Sequence, residues 1–405
     1  MQGWSPEKVI AFDVGVRRQL ESRTPPVSLL PNLRTIVAWK NILPLISLFL
    51  TPRVYHLELR VGPLQAAALS SLALEIPLHS PNLRSLHLIK YPTLQVPDKA
   101  QFIHALAELL KTLQLEEFIC DWFLLSQDML NALLGMPELS TVDIHAAIPD
   151  LAQSMHTHTV QEARIRNFRL CAALLLPSGL AHIISSFCLS KLEALSITSY
   201  CERSCDATEL TDLISTLVNT RSPEHLTDIS IESRYQHAAA VIDFKMLKPL
   251  LQFVHLRLIS LPGHPFDLTD AEIKVMAMAW PNLEKLSCWQ YQYMSPEGLI
   301  TAVPKTSLRG LLWLATHCPK LHSLTFPFHS SSGAVEDLTE DEMSLAEGHS
   351  LSLFDVGFSE IESAEEVARF IKRVFPNLAK LEFRAGVFNT KQWAKVQGLI
   401  TFVHY

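Results

Sequence analysis

Apolar residues recur along this chain as apolar-x-x-apolar-x-apolar, and the clearest copies carry Pro-Asn in front. Four such stretches are Pro31-Asn32-Leu33-Arg34-Thr35-Ile36, Pro81-Asn82-Leu83-Arg84-Ser85-Leu86-His87-Leu88, Pro281-Asn282-Leu283-Glu284-Lys285-Leu286-Ser287-Cys288 and Pro376-Asn377-Leu378-Ala379-Lys380-Leu381-Glu382-Phe383. Relaxed copies begin at Leu33, Val54, Leu83, Leu115, Leu139, Val160, Leu192, Leu226, Phe253, Leu283, Leu321, Leu351 and Leu378. The alternation inside each copy has period two, which predicts a short strand. Steps between copies run from 21 to 38 residues with a mean of about 29. The copy at Val160 is the weakest, and residues 145–190 are the least regular part.

The intervening stretches predict helices. Ser363-Ala364-Glu365-Glu366 and Thr269-Asp270-Ala271-Glu272 read as capping boxes, in which a hydroxyl and a glutamate satisfy two orphan backbone N–H groups reciprocally. Val367, Phe370, Ile371 and Val374 follow at helical spacing, as do Ile273, Met276 and Trp280. Further helices are predicted over 101–113, 126–134, 208–219 and 307–317. Leu338-Thr339-Glu340-Asp341-Glu342-Met343 echoes Leu268-Thr269-Asp270-Ala271-Glu272-Ile273, so the repeating unit is helix plus strand.

Strands this short cannot bury their apolar residues alone. Stacked side by side they predict an α/β leucine-rich-repeat solenoid, a horseshoe with a parallel concave sheet and helices on its convex face. The array covers 31–388 in about 12–13 repeats. An N-terminal capping or linker helix is expected in 1–30, and a C-terminal capping helix in 389–405.

Strand side chains alternate, so the residues flanking the central apolar position face away from the core. They name a wall: His56, Glu58, Ser85, His87, Glu117, Asp143, Asp228, His255, Arg257, Lys285, Ser323, Asp355 and Lys380. Varied, non-repeating polar residues along a concave sheet suit a protein substrate.

Charge and composition narrow the partners. The formal net charge is −7 and no long Lys/Arg block occurs, which argues against nucleic acid. The acidic run over 336–347 reads as solvated surface. Residues 170–190 lack charge and approach the roughly 20 residues a bilayer span needs. Pro177-Ser178-Gly179 divides them, which predicts two buried segments and no membrane partner. Seven cysteines without paired zinc spacing point to reduced thiols in an intracellular protein, cytoplasmic or nuclear. The first residues carry no secretory signal pattern.

Catalytic patterns are sparse. The chain has no phosphate loop, no His-Glu-x-x-His and no Gly-x-Ser-x-Gly. His156 and His158 read as an exposed pair, and 329–333 as a flexible loop insertion. The expectation is a non-enzyme with no cofactor and no metal site.

The Pro-Asn-Leu-x-x-Leu phrases resemble fungal, basidiomycete-type F-box proteins with degenerate leucine-rich repeats. So do Leu29-Leu30-Pro31-Asn32-Leu33-Arg34, Ile42-Leu43-Pro44-Leu45-Ile46-Ser47-Leu48-Phe49-Leu50 and Leu268-Thr269-Asp270-Ala271-Glu272. The resemblance implies an SCF ubiquitin-ligase subunit: an F-box docks on a Skp-type adaptor and cullin, and the repeats hold the substrate. Only some 30 residues precede the first repeat, so the F-box is expected to be missing or cut off, and no adaptor-contact residue carries over. The alternative is a stand-alone leucine-rich-repeat scaffold or inhibitor with no ubiquitin link.

Overall fold

The computed structural model describes residues 30–39, 43–61, 66–90, 99–121, 126–146, 164–172, 191–199, 207–219, 224–233, 241–288, 304–383 and 390–400. The N-terminal helix expected in 1–30, apart from Leu30, and the His156/His158 pair lie outside them. So does the uncharged 170–190 segment beyond residue 172. The chain forms two compact units, Met1–Ala173 with Ser186–Ser190, and Leu174–Ser185 with Lys191–Tyr405.

The first unit carries strands β1 (Thr35–Trp39), β2 (His56–Val61), β3 (Ser85–Lys90), β4 (Glu117–Cys120), β5 (Thr141–Ala146) and β6 (Asn167–Ala172). Each pairs in parallel with the next, in the register Ile36, Leu57, Leu86, Phe118, Val142, Phe168. All six of these side chains are buried. Helices Ala66–His79, Lys99–Thr112 and Gln127–Leu134 connect the strands and pack on one another. Periodicity does not predict the first of these, because its apolar residues do not gather on one side: Leu72 and Ile76 are buried, while Leu74 and Leu78 stand exposed.

The second unit repeats the plan. Its strands are β7 (Ala194–Ser199), β8 (Asp228–Ser233), β9 (Ile242–Asp243), β10 (Leu258–Ser260), β11 (Phe266–Asp267), β12 (Lys285–Ser287), β13 (Ser323–Thr325), β14 (His329–Ser330), β15 (Leu353–Asp355), β16 (Glu360–Ile361) and β17 (Lys380–Glu382). β7, β8, β10, β12, β13, β15 and β17 form one parallel ladder. Its buried rung is Leu195, Ile229, Ile259, Leu286, Leu324, Phe354 and Leu381. β9 pairs β11 and β14 pairs β16 in two small parallel sheets. The helix Thr390–Leu399 buries Trp393 and Val396. No described helix is long and apolar enough to cross a membrane.

The Pro-Asn-Leu phrase is a helix-to-strand turn. Proline disfavours the α conformation in the residue before it, so helices stop at Trp280, Cys318 and Phe375, each immediately before a proline. The repeat leucine then closes the turn: Leu283 N–H donates to the Trp280 carbonyl at 3.1 Å, Leu321 to Cys318 at 3.0 Å and Leu378 to Phe375 at 3.1 Å. Asparagine stays outside and ties neighbouring turns: Asn82 Nδ2 donates to the Pro52 carbonyl at 2.8 Å, and Asn282 Oδ1 accepts from Lys320 at 2.8 Å.

Helix starts follow the predicted caps. Both Thr269/Glu272 and Thr339/Glu342 form complete capping boxes. At Ser363 only half forms: its hydroxyl accepts from Glu366 N–H at 3.3 Å, but the Glu366 carboxylate turns away to accept from Gly333 N–H at 2.9 Å.

Three expectations are corrected. The weak copy begins at Ile165, not Val160, because Asn167 pairs with Thr141 and Phe168 is the buried residue. The copy assigned to Phe253 begins at Leu256, since Leu258 pairs with both Asp228 and Lys285. Phe253 instead accepts the turn bond from Leu256 N–H at 3.2 Å, the role Trp280 plays one repeat later. Residues 329–333 are not a flexible insertion: His329–Ser330 pairs with Glu360–Ile361, and Gly333 turns the chain at φ 86°.

Candidate functional site

Each ladder strand sends one set of side chains into the core and the alternate set to the opposite face. In the first unit that face gathers His56, Glu58, Ser85, His87, Glu117 and Asp143, six of the residues expected there. In the second unit Asp228, Lys285, Ser323, Asp355 and Lys380 occupy the corresponding rungs. His255 and Arg257 do not. The three-residue shift of register places them in the turn ahead of β10, where Leu258 and Ser260 take the face. Arg257 there makes a bidentate pair with Glu284, at 2.9 and 2.8 Å.

The densest chemistry lies on β2, β3 and β4. His56 stands beside Ser85, Glu58 beside His87, and Ser85 beside Glu117. The Ser85 hydroxyl donates to Glu117 Oε2 at 2.7 Å. It also lies 2.8 Å from His56 Nδ1 and 3.1 Å from His87 Nε2. His87 Nε2 is itself 3.0 Å from Glu117 Oε2. A serine has one proton, and the carboxylate takes it. Both imidazole nitrogens must therefore donate toward Ser85 and Glu117, which leaves the other nitrogen of each neutral ring unprotonated. The rings meet edge to face at 4.6 Å.

Electrostatics follow from packing. Burial, then the neighbouring His87, hold the His56 pKa below the usual imidazole value. Burial works to raise the Glu117 carboxyl, but hydrogen bonds from Ser85 and His87 outweigh it and bring it lower. Asp143 goes the other way: burial raises its carboxyl despite Arg169 Nη1 at 3.6 Å, and its Oδ1 is buried without a partner.

The face also holds residues that the short motif did not name. Arg60 Nε donates to Glu58 Oε1 at 2.7 Å, and His145 Nε2 lies 3.6 Å from Asp121 Oδ1. Arg60 and His145 continue the alternation two residues beyond the motif, so the period-two pattern extended along β2 and β5 would have found them. Nothing in sequence spacing signalled that His56, Glu58 and His87 meet. One ligand-type atom from each lies within 4.8 Å of the others.

Part of the face is buried in the second unit, as Ser85 is in the first. Ser287 and Thr325 are buried. Asp228 Oδ2 accepts from the neighbouring Thr227 hydroxyl at 2.6 Å, and Asp355 Oδ1 caps the Gly357 N–H at 2.9 Å. None of the four described cysteines is in a disulfide, and all are buried. Burial raises the Cys288 thiol and pushes Cys318 up to about 12, so both stay protonated and unreactive.

No family model matches the chain, and no curated protein matches it. Among solved structures, it is similar to the crystal structure of the Rad7 and Elc1 complex in yeast, with a TM-score of 0.41 and 15% sequence identity over 96% of this chain and 96% of that one.

Proposed function

We propose that this chain is a protein-binding leucine-rich-repeat scaffold, non-catalytic, with its partner lying along the polar face of the sheet. The observation that carries the reading is the division of the ladder strands: one buried apolar rung, and opposite it a mostly polar row that changes identity from strand to strand. A row of that kind offers positions for side-chain recognition along an extended polypeptide. The chain's net charge of −7 supports a protein over nucleic acid.

The finer reading is the substrate-recognition part of an F-box-type SCF ubiquitin-ligase subunit, and it rests on the Pro-Asn-Leu resemblance. Expression from the full transcript together with a Skp-type adaptor and cullin tests it. Recovery of a stoichiometric complex is the expected outcome. Clean separation of the chain from the adaptor would leave the scaffold reading without its ligase part.

A further inference from the structure

We propose that His56, Glu58 and His87 form a binding site for a single divalent transition-metal ion of the zinc class, on the face of β2 and β3.

Three independent features carry this. The first is donor chemistry. Two imidazoles and one carboxylate are a ligand set that zinc accepts, with a remaining position open to water or to a partner's side chain. The second is placement. His56 and Glu58 are two residues apart on one strand, so they share a face. His87 is in register with Glu58 on the adjacent strand, which puts the three at corners of one small patch. One nitrogen from each ring and one carboxylate oxygen already lie within 4.8 Å of one another. Zinc–ligand bonds of about 2.0–2.1 Å in a tetrahedral site bring ligand atoms to about 3.3 Å of each other, so the three atoms need to approach by at most about 1.5 Å to hold one ion.

The third feature is the shell behind the ligands. Metal-bound imidazoles donate their second N–H to a carboxylate or hydroxyl, which fixes the tautomer and aims the lone pair. Glu117 and Ser85 do this for His87, at 3.0 and 3.1 Å, and Ser85 does it for His56 at 2.8 Å. Glu58 is oriented in turn by Arg60. Glu58 and His87 side chains are each 18% exposed, so an ion would reach them from solvent while most of its surroundings are protein.

A zinc site would remain if no partner bound, and a partner could bind without zinc. The test is calorimetric titration of Zn2+ into chelator-treated chain, alongside His56→Ala, His87→Ala and the outlying His322→Ala. One ion per chain is expected, with affinity weakened by about tenfold or more in the first two variants and unchanged in the third. In the unaltered chain, Zn2+ should protect His56 and His87 from acylation by diethylpyrocarbonate while leaving His322 reactive, a readout that needs no variant to fold. Absence of a stoichiometric ion, equal affinity in all variants, or no selective protection of His56 and His87 would overturn the site.

Discussion

Ser85 gives its single hydroxyl proton to Glu117 on the next strand at 2.7 Å, and so decides the tautomers of the two histidines that flank it. Ser85→Ala removes the donor that helps hold the Glu117 carboxyl low against burial. The carboxyl should then titrate at higher pH, as followed by carbon NMR of the labelled side chain. The lost hydrogen bond should cost about 1 kcal/mol in urea unfolding. An unchanged Glu117 titration would show that Ser85 does not organise the cluster.

The register of β10 gives a second prediction. Ile259 is 1% exposed and stands in the core rung, whereas Leu258 faces outward. Ile259→Ala should destabilise the chain by about 2–5 kcal/mol. Leu258→Ala should cost under about 1 kcal/mol. Equal losses, or a greater loss at Leu258, would restore the register that begins at Phe253.

Gly310 sits inside the helix Leu308–His317, where alanine would ordinarily be favoured by about 1 kcal/mol. A Cβ there would overlap Thr306 Cγ2 and meet Asp270 Oδ1 at 2.7 Å. Asp270 cannot swing clear cheaply, because its carboxylate accepts from the Ser307 N–H at 2.7 Å and the Ser307 hydroxyl at 2.6 Å. Gly310→Ala should therefore lower stability by about 1–3 kcal/mol, read as a lower denaturant midpoint. A raised midpoint would mean that the two helix starts do not approach this closely.

His349 makes the chain sensitive to acid. Its Nδ1 accepts from Leu351 N–H at 3.1 Å, so Nε2 carries the proton and donates to the Cys318 carbonyl at 2.9 Å. Burial lowers its pKa in the folded state. The unfolded chain thus binds a proton, at about pH 6.5, more readily than the folded one does. Stability is full above that pH and falls as pH drops through 6.5 toward the lower folded value. Unfolding midpoints measured between pH 7.5 and 5.5 should fall more steeply for the native chain than for His349→Gln. Parallel slopes would contradict a buried neutral imidazole.

Much of the fold was legible because two periodicities alternate along the chain. Leu283, Leu286 and Cys288 could be named as core from spacing alone, and Ser126, Thr269, Ser307 and Thr339 as helix starts from their chemistry. What failed was register where apolar residues are too plentiful. In Phe253-Val254-His255-Leu256-Arg257-Leu258-Ile259-Ser260-Leu261, two frames three residues apart both satisfy the motif, and only pairing to β8 and β12 separates them. The polar face was legible as a list of positions. The His56–Glu58–His87 cluster was not, because 29 residues separate Glu58 from His87 and only strand register brings them side by side.

The central claim is that partners meet the polar face of the sheet and not the helices. A photo-crosslinking side chain placed singly at Glu117, Asp143, Lys285 and Ser323, and for comparison at the exposed helix residues Lys111 and Glu340, tests this in the cell of origin. The account predicts a polypeptide joined to the chain from face positions and none from the helix positions. Crosslinks to it from Lys111 or Glu340, with none from the face, would contradict the account.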